Sequence, residues 1–342
     1  MFFANLFNFS VNNIEKNIFD LGHNSFFLCL LPYEQKKEVL SAINPEAQSA
    51  LKYILNIKEK FVEDIDDAKY VIQTPEKIKS DIYFYGKPYM SWCPNNGAKV
   101  LYFYGAADTR PLYLHKDWGC QAKDFILFRY GGRNTEKWHN TFSIPYIVND
   151  NFNNVFLPKK LSISYCGYPY NWIFKKRVVD TLHQYEYSDF IIRDRWGGDC
   201  VDTDGKNYDS YNFGPSKGMR DEFFDNMERN LYALIVRGMN NASIRLFETF
   251  MMGRIPVIIN SDMMLPFEDQ IDYRKNTVFI TDFHDIDSQI REYHDSHTEE
   301  ELIEIQKQNR QIWLDYFRVD GFFYKMKQFL ENYKYEKEVI LK

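Results

Sequence analysis

Two arginines and a glutamate carry the chemistry most legible in this chain. Arg237, Arg245 and Glu248 stand among Gly238, Asn240, Asn241 and Ser243 in the stretch Tyr232–Asp272. A guanidinium is planar, permanently charged and shaped to pair with phosphate oxygens. A carboxylate can accept hydrogen bonds in pairs. Arg245 and Glu248 are three apart, so on a helix they share one face and can meet one ligand. The same spacing also makes a plain surface ion pair, the default for two such residues taken alone. Arg237 is harder to place on a surface, because it follows the apolar run Tyr232–Val236 directly.

The elements that must position these residues follow from the pattern around them. Tyr232–Val236 predicts a strand, the polar residues through Asn241 a turn, and Ser243–Met252 a helix stopped by Gly253. Ile255–Ile259 predicts a second strand, which completes a βαβ unit. The turn then delivers backbone N–H groups and arginines to a helix N-terminus, where unpaired donors and the positive end of the dipole favour a diphosphate. Phe247, Phe250 and Met251 read as core. Pro256 and Val257 begin the next strand, and Asp262 and Asp272 read as turn and cap residues.

These positions form a longer pattern, R-G-x-x-N-x-S-x-R-x-x-E-x-x-x-x-G-x-I-P-V followed by L-P-F and I-D-Y. It stands here as Arg237, Gly238, Asn241, Ser243, Arg245, Glu248, Gly253, Ile255-Pro256-Val257, Leu265-Pro266-Phe267 and Ile271-Asp272-Tyr273. The pattern resembles the C-terminal core of the exostosin-like glycosyltransferases. The likeness extends upstream through Arg220–Leu234, and in character to Lys160–Tyr168 and Asp66–Pro75. It implies an α/β protein of the GT-B architecture, two Rossmann-like domains with parallel sheets facing each other across a cleft. Residues 1–155 would form the acceptor domain and 156–318 the nucleotide-sugar domain. Residues 319–342, with a helix over Gly321–Tyr333, would pack back on the first.

The activity so implied is inverting transfer of a sugar from a nucleotide-diphosphate donor, a UDP-sugar first, to a hydroxyl of a glycan acceptor. The resemblance assigns the diphosphate to Arg237, Gly238, Asn240, Asn241, Ser243 and Arg245, and the ribose to Glu248. Neither a metal nor any other cofactor is expected, since arginines and a helix terminus neutralise the leaving diphosphate. Inversion implies a base from the N-terminal side of the cleft. The strand over Val100–Tyr104 opens into Gly105-Ala106-Ala107-Asp108-Thr109-Arg110, where a carboxylate after small residues can face a cleft. Asp108 is the first candidate, with His115 and Asp117 next; a turn pair of Asp108 with Arg110 stays open.

Composition frames this reading. A chain of 342 residues exceeds one ordinary core, so two domains are expected. The net charge of −6 argues against nucleic acid as a partner. Five scattered cysteines without C-x-x-C spacing read as reduced thiols. The N-terminus lacks the basic segment of a signal peptide, and no apolar window reaches the eighteen residues of a spanning helix. Animal and plant exostosin-like enzymes often carry an anchor. Its absence leads to the expectation of a cytoplasmic protein, bacterial or made by a virus in its host.

Further strands are expected over Phe26–Leu31, Tyr70–Gln73, Phe125–Phe128, Ser143–Val148, Leu161–Tyr165 and Phe190–Arg193. Helices are expected within Gln35–Ile57, around Tyr170–Tyr185, through Met219, Phe223 and Met227, and from a Thr298/Glu301 capping box to near Phe317. Polar Asn149–Lys160 suits a linker. Asp202-Thr203-Asp204 has the D-x-D form that holds a metal in the other glycosyltransferase fold, GT-A, though a solvated turn explains it as well. His294 and His297 read as a solvated turn, and no P-loop motif is present. The remaining alternative is an exostosin-like domain that binds glycan or a partner without catalysis.

Overall fold

Parallel strand pairing runs through both halves of the chain. The structure, a computed structural model, describes residues 3–5, 70–73, 99–104, 125–129, 131–136, 141–146, 148–170, 172–194, 217–238 and 241–332. The chain divides into two compact units. The first comprises Met1–Gly132, Glu136–Ile147 and Val319–Lys342, and the second Arg133–Thr135 and Val148–Arg318.

The first unit holds β1 (Phe3–Asn5), β2 (Tyr70–Gln73), β3 (Lys99–Tyr104), β4 (Phe125–Arg129) and β5 (Thr141–Ser143), paired in chain order. Every pairing is parallel, so each connection must cross over the sheet. Strands β2, β3 and β4 lie where sequence pattern expects them. The strand expected over Ser143–Val148 is instead Thr141–Ser143, because Pro145 has no N–H to give the ladder. Ile144 and Val148 are buried all the same, so the apolar signal reported burial rather than pairing. The terminal helix Val319–Asn332 belongs with this unit, and its Phe329 meets Phe142 edge-on at 4.4 Å. Phe26–Leu31 and the helical pattern of Gln35–Ile57 lie outside the described residues.

The second unit holds β6 (Ile163–Gly167), β7 (Ser188–Ile192), β8 (Tyr232–Ile235), β9 (Ile255–Ile259) and β10 (Val278–Ile280) in the order β10-β9-β8-β6-β7. All pairings here are also parallel. Its helices are α1 (Ile173–His183), α2 (Lys217–Glu228), α3 (Ile244–Met251), α4 (Tyr273–Asn276), α5 (Ile286–Ser296) and α6 (Glu299–Ile312). Strands β8 and β9 are buried along their whole length, which suits a sheet covered on both faces. Pro256 is tolerated inside β9 because β10 pairs only from Val257 onward. One core joins the sheet to Val179 and Leu182 of α1, Ile286 and Ile290 of α5, and Leu302 of α6. Thr298 and Glu301 form both bonds of the capping box, and α6 runs into a π-turn at Trp313–Phe317. Among the described residues no helix is long and apolar enough to cross a membrane.

Strand β10 and helix α5 were not foreseen. The α5 sequence is polar, and its buried stripe is Ile286, Ile290 and His294, at four-residue spacing. His294 therefore corrects the expected solvated turn: its ring is buried, with Nδ1 2.9 Å from Tyr232 Oη. His297 keeps partial exposure and sets Nδ1 2.7 Å from the Tyr293 carbonyl.

A buried cation holds the periphery of this unit. Arg254 follows Gly253, whose φ of +60° ends α3 in the left-handed region. Its fully buried guanidinium donates to the carbonyls of Val155 (2.9 Å), Glu228 (2.8 Å), Met252 (3.1 Å) and Met227 (3.3 Å). Burial pulls its pKa down to about 10 against the opposing charge of Glu228, so it stays charged at neutral pH. The expected linker is thereby strapped down. Gln306 of α6 accepts from Leu157 N and donates to Leu157 O, both at 2.8 Å, and Arg310 grips Asp150 at 2.6 and 2.9 Å. Arg254→Met should orphan four buried carbonyl contacts and cost about 3–5 kcal/mol. The check is a urea unfolding midpoint that falls at unchanged slope.

Candidate functional site

The sheet of the second unit splays where β6 meets β8. These strands pair only at Ile163↔Tyr232 and Ser164↔Ala233, although β6 continues to Gly167 and β8 to Ile235. This is also where strand order reverses, since the chain goes from β6 out to β7 and returns on the other side of β6 as β8. A reversal opens a crevice beyond the carboxyl ends of the strands, the ordinary ligand site of open α/β sheets.

Arg245 fills the splay. From α3 it donates Nη2 to the Cys166 carbonyl of β6 at 2.6 Å and Nη1 to the Leu234 carbonyl of β8 at 3.4 Å. One guanidinium fork thus replaces ladder bonds that the diverging strands no longer make. It lies 4.4 Å over the Tyr165 ring and 5.4 Å from that of Phe223. Gly167 makes room: a Cβ there would stand 3.1 Å from Arg245 Nη2.

Four buried polar atoms around this point make no hydrogen bond among the described residues: Arg245 Nε, Tyr165 Oη and both carboxylate oxygens of Glu248. Arg245 lies over the phenol ring and outside hydrogen-bond geometry with its hydroxyl. Burial raises the Tyr165 pKa, and the Arg245 charge does not outweigh it. Glu248 is fully buried, and Arg220 of α2 places Nη2 2.5 Å from its Oε1 as an ion pair without hydrogen-bond alignment. An Arg245–Glu248 surface pair is therefore not what the spacing produced. Arg220, which sequence reasoning gave no role, is the partner. Its only signal was its place at the head of the upstream likeness over Arg220–Leu234.

The loop after β8 brings Arg237, and α1 a further cation. Arg237 is buried, donates Nε to Gly238 O at 3.3 Å and lies 4.2 Å above the ring of Trp172. Burial first, and the nearby charge of Arg133 second, lower its pKa. Trp172 is the N-cap of α1 and offers that helix no side-chain acceptor. Lys175, one turn on, sets Nζ 5.9 Å from the Tyr165 ring centre. Burial and the Arg245 charge bring its pKa down to about 7. Asn241 works on the loop itself: its amide donates to Ser261 O at 3.1 Å and accepts from Ser261 Oγ at 2.7 Å. Ser243 sits at the N-cap of α3 with φ −146° and ψ 120°, and its side chain caps no N–H. Asn240, Asp108, His115, Asp117, Asp202 and Asp204 lie outside the described residues.

Buried polar groups are nearly always satisfied, so a cluster of orphans among the described residues beside cations makes this the candidate place for a polar ligand. Together with the parallel sheet, it defines a Rossmann-like domain that fits a glycosyltransferase. Residues 186–289, from β7 into α5, match the family model described as the Exostosin GT47 domain. The resemblance read from the sequence, to the exostosin-like glycosyltransferase family, is shown by this match, and it supports a glycosyltransferase-like function. Among curated proteins nothing matches the chain.

The fit around Gly167 yields a test. Gly167→Ala should push the Arg245 fork off the Cys166 carbonyl and cost about 1–3 kcal/mol in stability. Adding Arg245→Met removes the group that is struck. The double variant should then lose less than the sum of the single losses in denaturant unfolding, a coupling of about 0.5–3 kcal/mol.

Proposed function

We propose that this protein is an inverting glycosyltransferase that moves a sugar from a nucleotide-diphosphate donor, with UDP-sugars first, to a hydroxyl of a glycan acceptor. The observation that carries the reading is the set of buried atoms without a hydrogen bond among the described residues, Arg245 Nε, Tyr165 Oη and the Glu248 carboxylate oxygens, at the strand-order reversal. Arg245 and Arg237 supply the positive charge that a departing diphosphate needs, in a setting dry enough to strengthen it. The backbone N–H groups from Gly238 through Asn241 to Ser243, including that of Asn240, complete the anion site in this reading. The free acceptor capacity of Glu248 is directed to ribose hydroxyls.

The finer architecture is part of the proposal. The first unit would serve as the acceptor half and the second as the donor half of a GT-B enzyme, working without a metal. Asp108 would take the acceptor's proton, with His115 and Asp117 as the next candidates. Support for the base is the sequence context after Val100–Tyr104 alone.

Binding comes first among the tests. UDP or GDP should raise the melting temperature, and Arg245→Ala should weaken nucleotide binding by roughly 10- to 100-fold, as loss of a charge-assisted contact does. Arg245→Lys should recover part of this, because a point charge lacks the planar fork. Unchanged affinity in a folded Arg245→Ala protein would remove the diphosphate from this site. No response of the wild type to any nucleotide would favour glycan binding without transfer.

The base is tested separately. Once nucleotide release against a donor panel has identified the donor, Asp108→Asn should lower the transfer rate by about 10²–10⁴-fold with donor binding intact. A well-folded Asp108→Asn protein working at wild-type rate would move the role to His115 or Asp117. Activity that survives EDTA would support the metal-free reading.

A further inference from the structure

Tyr165 carries cations from two different elements. Arg245 of α3 lies 4.4 Å from its ring centre, and Lys175 of α1 sets Nζ 5.9 Å from it. Neither α1 nor β6 brings a carboxylate to this place. Of the described acids on the surrounding elements, Glu248 of α3 pairs with Arg220, Glu222 of α2 with Arg193 after β7, Asp180 of α1 with Lys176, and Asp189 of β7 with Arg229. The charge that acts on Lys175 is that of Arg245, a like charge, and the ammonium is largely desolvated as well. Among the described residues neither cation forms an ion pair with a carboxylate, so an anion beside both would make the arrangement favourable.

We propose that Lys175 is a further ligand of the anion in this crevice, one that takes up its proton together with the ligand, so that nucleoside diphosphate binding is coupled to proton uptake. The inference rests on the reading of the crevice as a diphosphate site. It adds a residue outside the matched stretch, since Lys175 precedes residue 186.

The direction of the coupling follows from the geometry. In the free protein Lys175 titrates at about 7 and is only partly protonated at neutral pH. A diphosphate beside it supplies opposite charge, which raises an ammonium pKa by about 1–3 units at such distances. Between the free and the bound value, the complex holds more protons than its components, so affinity falls as pH rises through this window. Well below pH 7 Lys175 is already charged and the coupling vanishes. Arginine at the same position would stay charged throughout.

Calorimetry with UDP on the full chain at pH 7.5, in two buffers of different ionisation enthalpy, reads the proton count directly. The wild type should take up about half a proton or more per UDP bound. Lys175→Arg should bind UDP with similar affinity and lose that uptake, a comparison that cancels any proton exchanged by the nucleotide itself. Lys175→Met should weaken binding several-fold at pH 7 and by much less at pH 9. Equal proton uptake by wild type and Lys175→Arg overturns the role of Lys175 and leaves the diphosphate site standing. Failure of the folded wild type to bind UDP or GDP overturns both.

Discussion

The second unit depends on how one guanidinium closes a gap between two strands. β6 and β8 must diverge, because the chain reverses its direction across the sheet between them, and divergence leaves backbone carbonyls without ladder partners. Such groups are costly when buried. Arg245 answers for one carbonyl on each strand and keeps the opening from collapsing. The geometry that binds the sheet together is thus also the geometry that holds a cation at the mouth of the crevice.

A comparison within the same unit shows why Arg245 reads as a site residue and Arg254 does not. Arg254 is fully buried and Arg245 half-buried, and both donate to backbone carbonyls. Arg254 reaches four carbonyls, and nothing about it asks for another partner. Among the described residues Arg245 spends two donors, leaves Nε without a hydrogen bond and has aromatic rings beside it. Satisfaction separates the two roles more sharply than burial or charge. The same criterion singles out Glu248, whose carboxylate pairs with Arg220 but makes no hydrogen bond among the described residues.

Much of this was open to a reader of the sequence. The βαβ unit from Tyr232 to Ile259 falls within a residue of its expected bounds, because apolar runs, a stopping glycine and a helical stripe agree there. The Thr298/Glu301 box was legible for the same reason, a local bond pattern that needs no tertiary help. Helix α5 was not, since histidine took a core position in its stripe and the rest is polar. Arg220 and Arg254 stayed hidden as well. An arginine's partners are set by which carbonyls and carboxylates the fold brings within reach, at separations of tens of residues, and nothing local announces them. Pro145 shows the converse, an apolar run whose burial was legible while its ladder was stopped by one missing N–H.

The ion pair of Arg310 with Asp150 has a meaning beyond its own bond. Asp150 lies just inside the start of the second unit and Arg310 shortly before its end, and the charge of Arg318, the last residue of that unit, also reaches Asp150. Apart from the short visit of Arg133–Thr135, the polypeptide therefore enters and leaves this unit at nearly one spot. Residues 148–318 form a cassette inserted in the chain of the other unit, with its two ends pinned side by side. Cassettes of this shape tolerate being cut out or reopened elsewhere, because a short linker can rejoin ends that already touch. A module with that construction can pass between scaffolds as a single exchangeable piece.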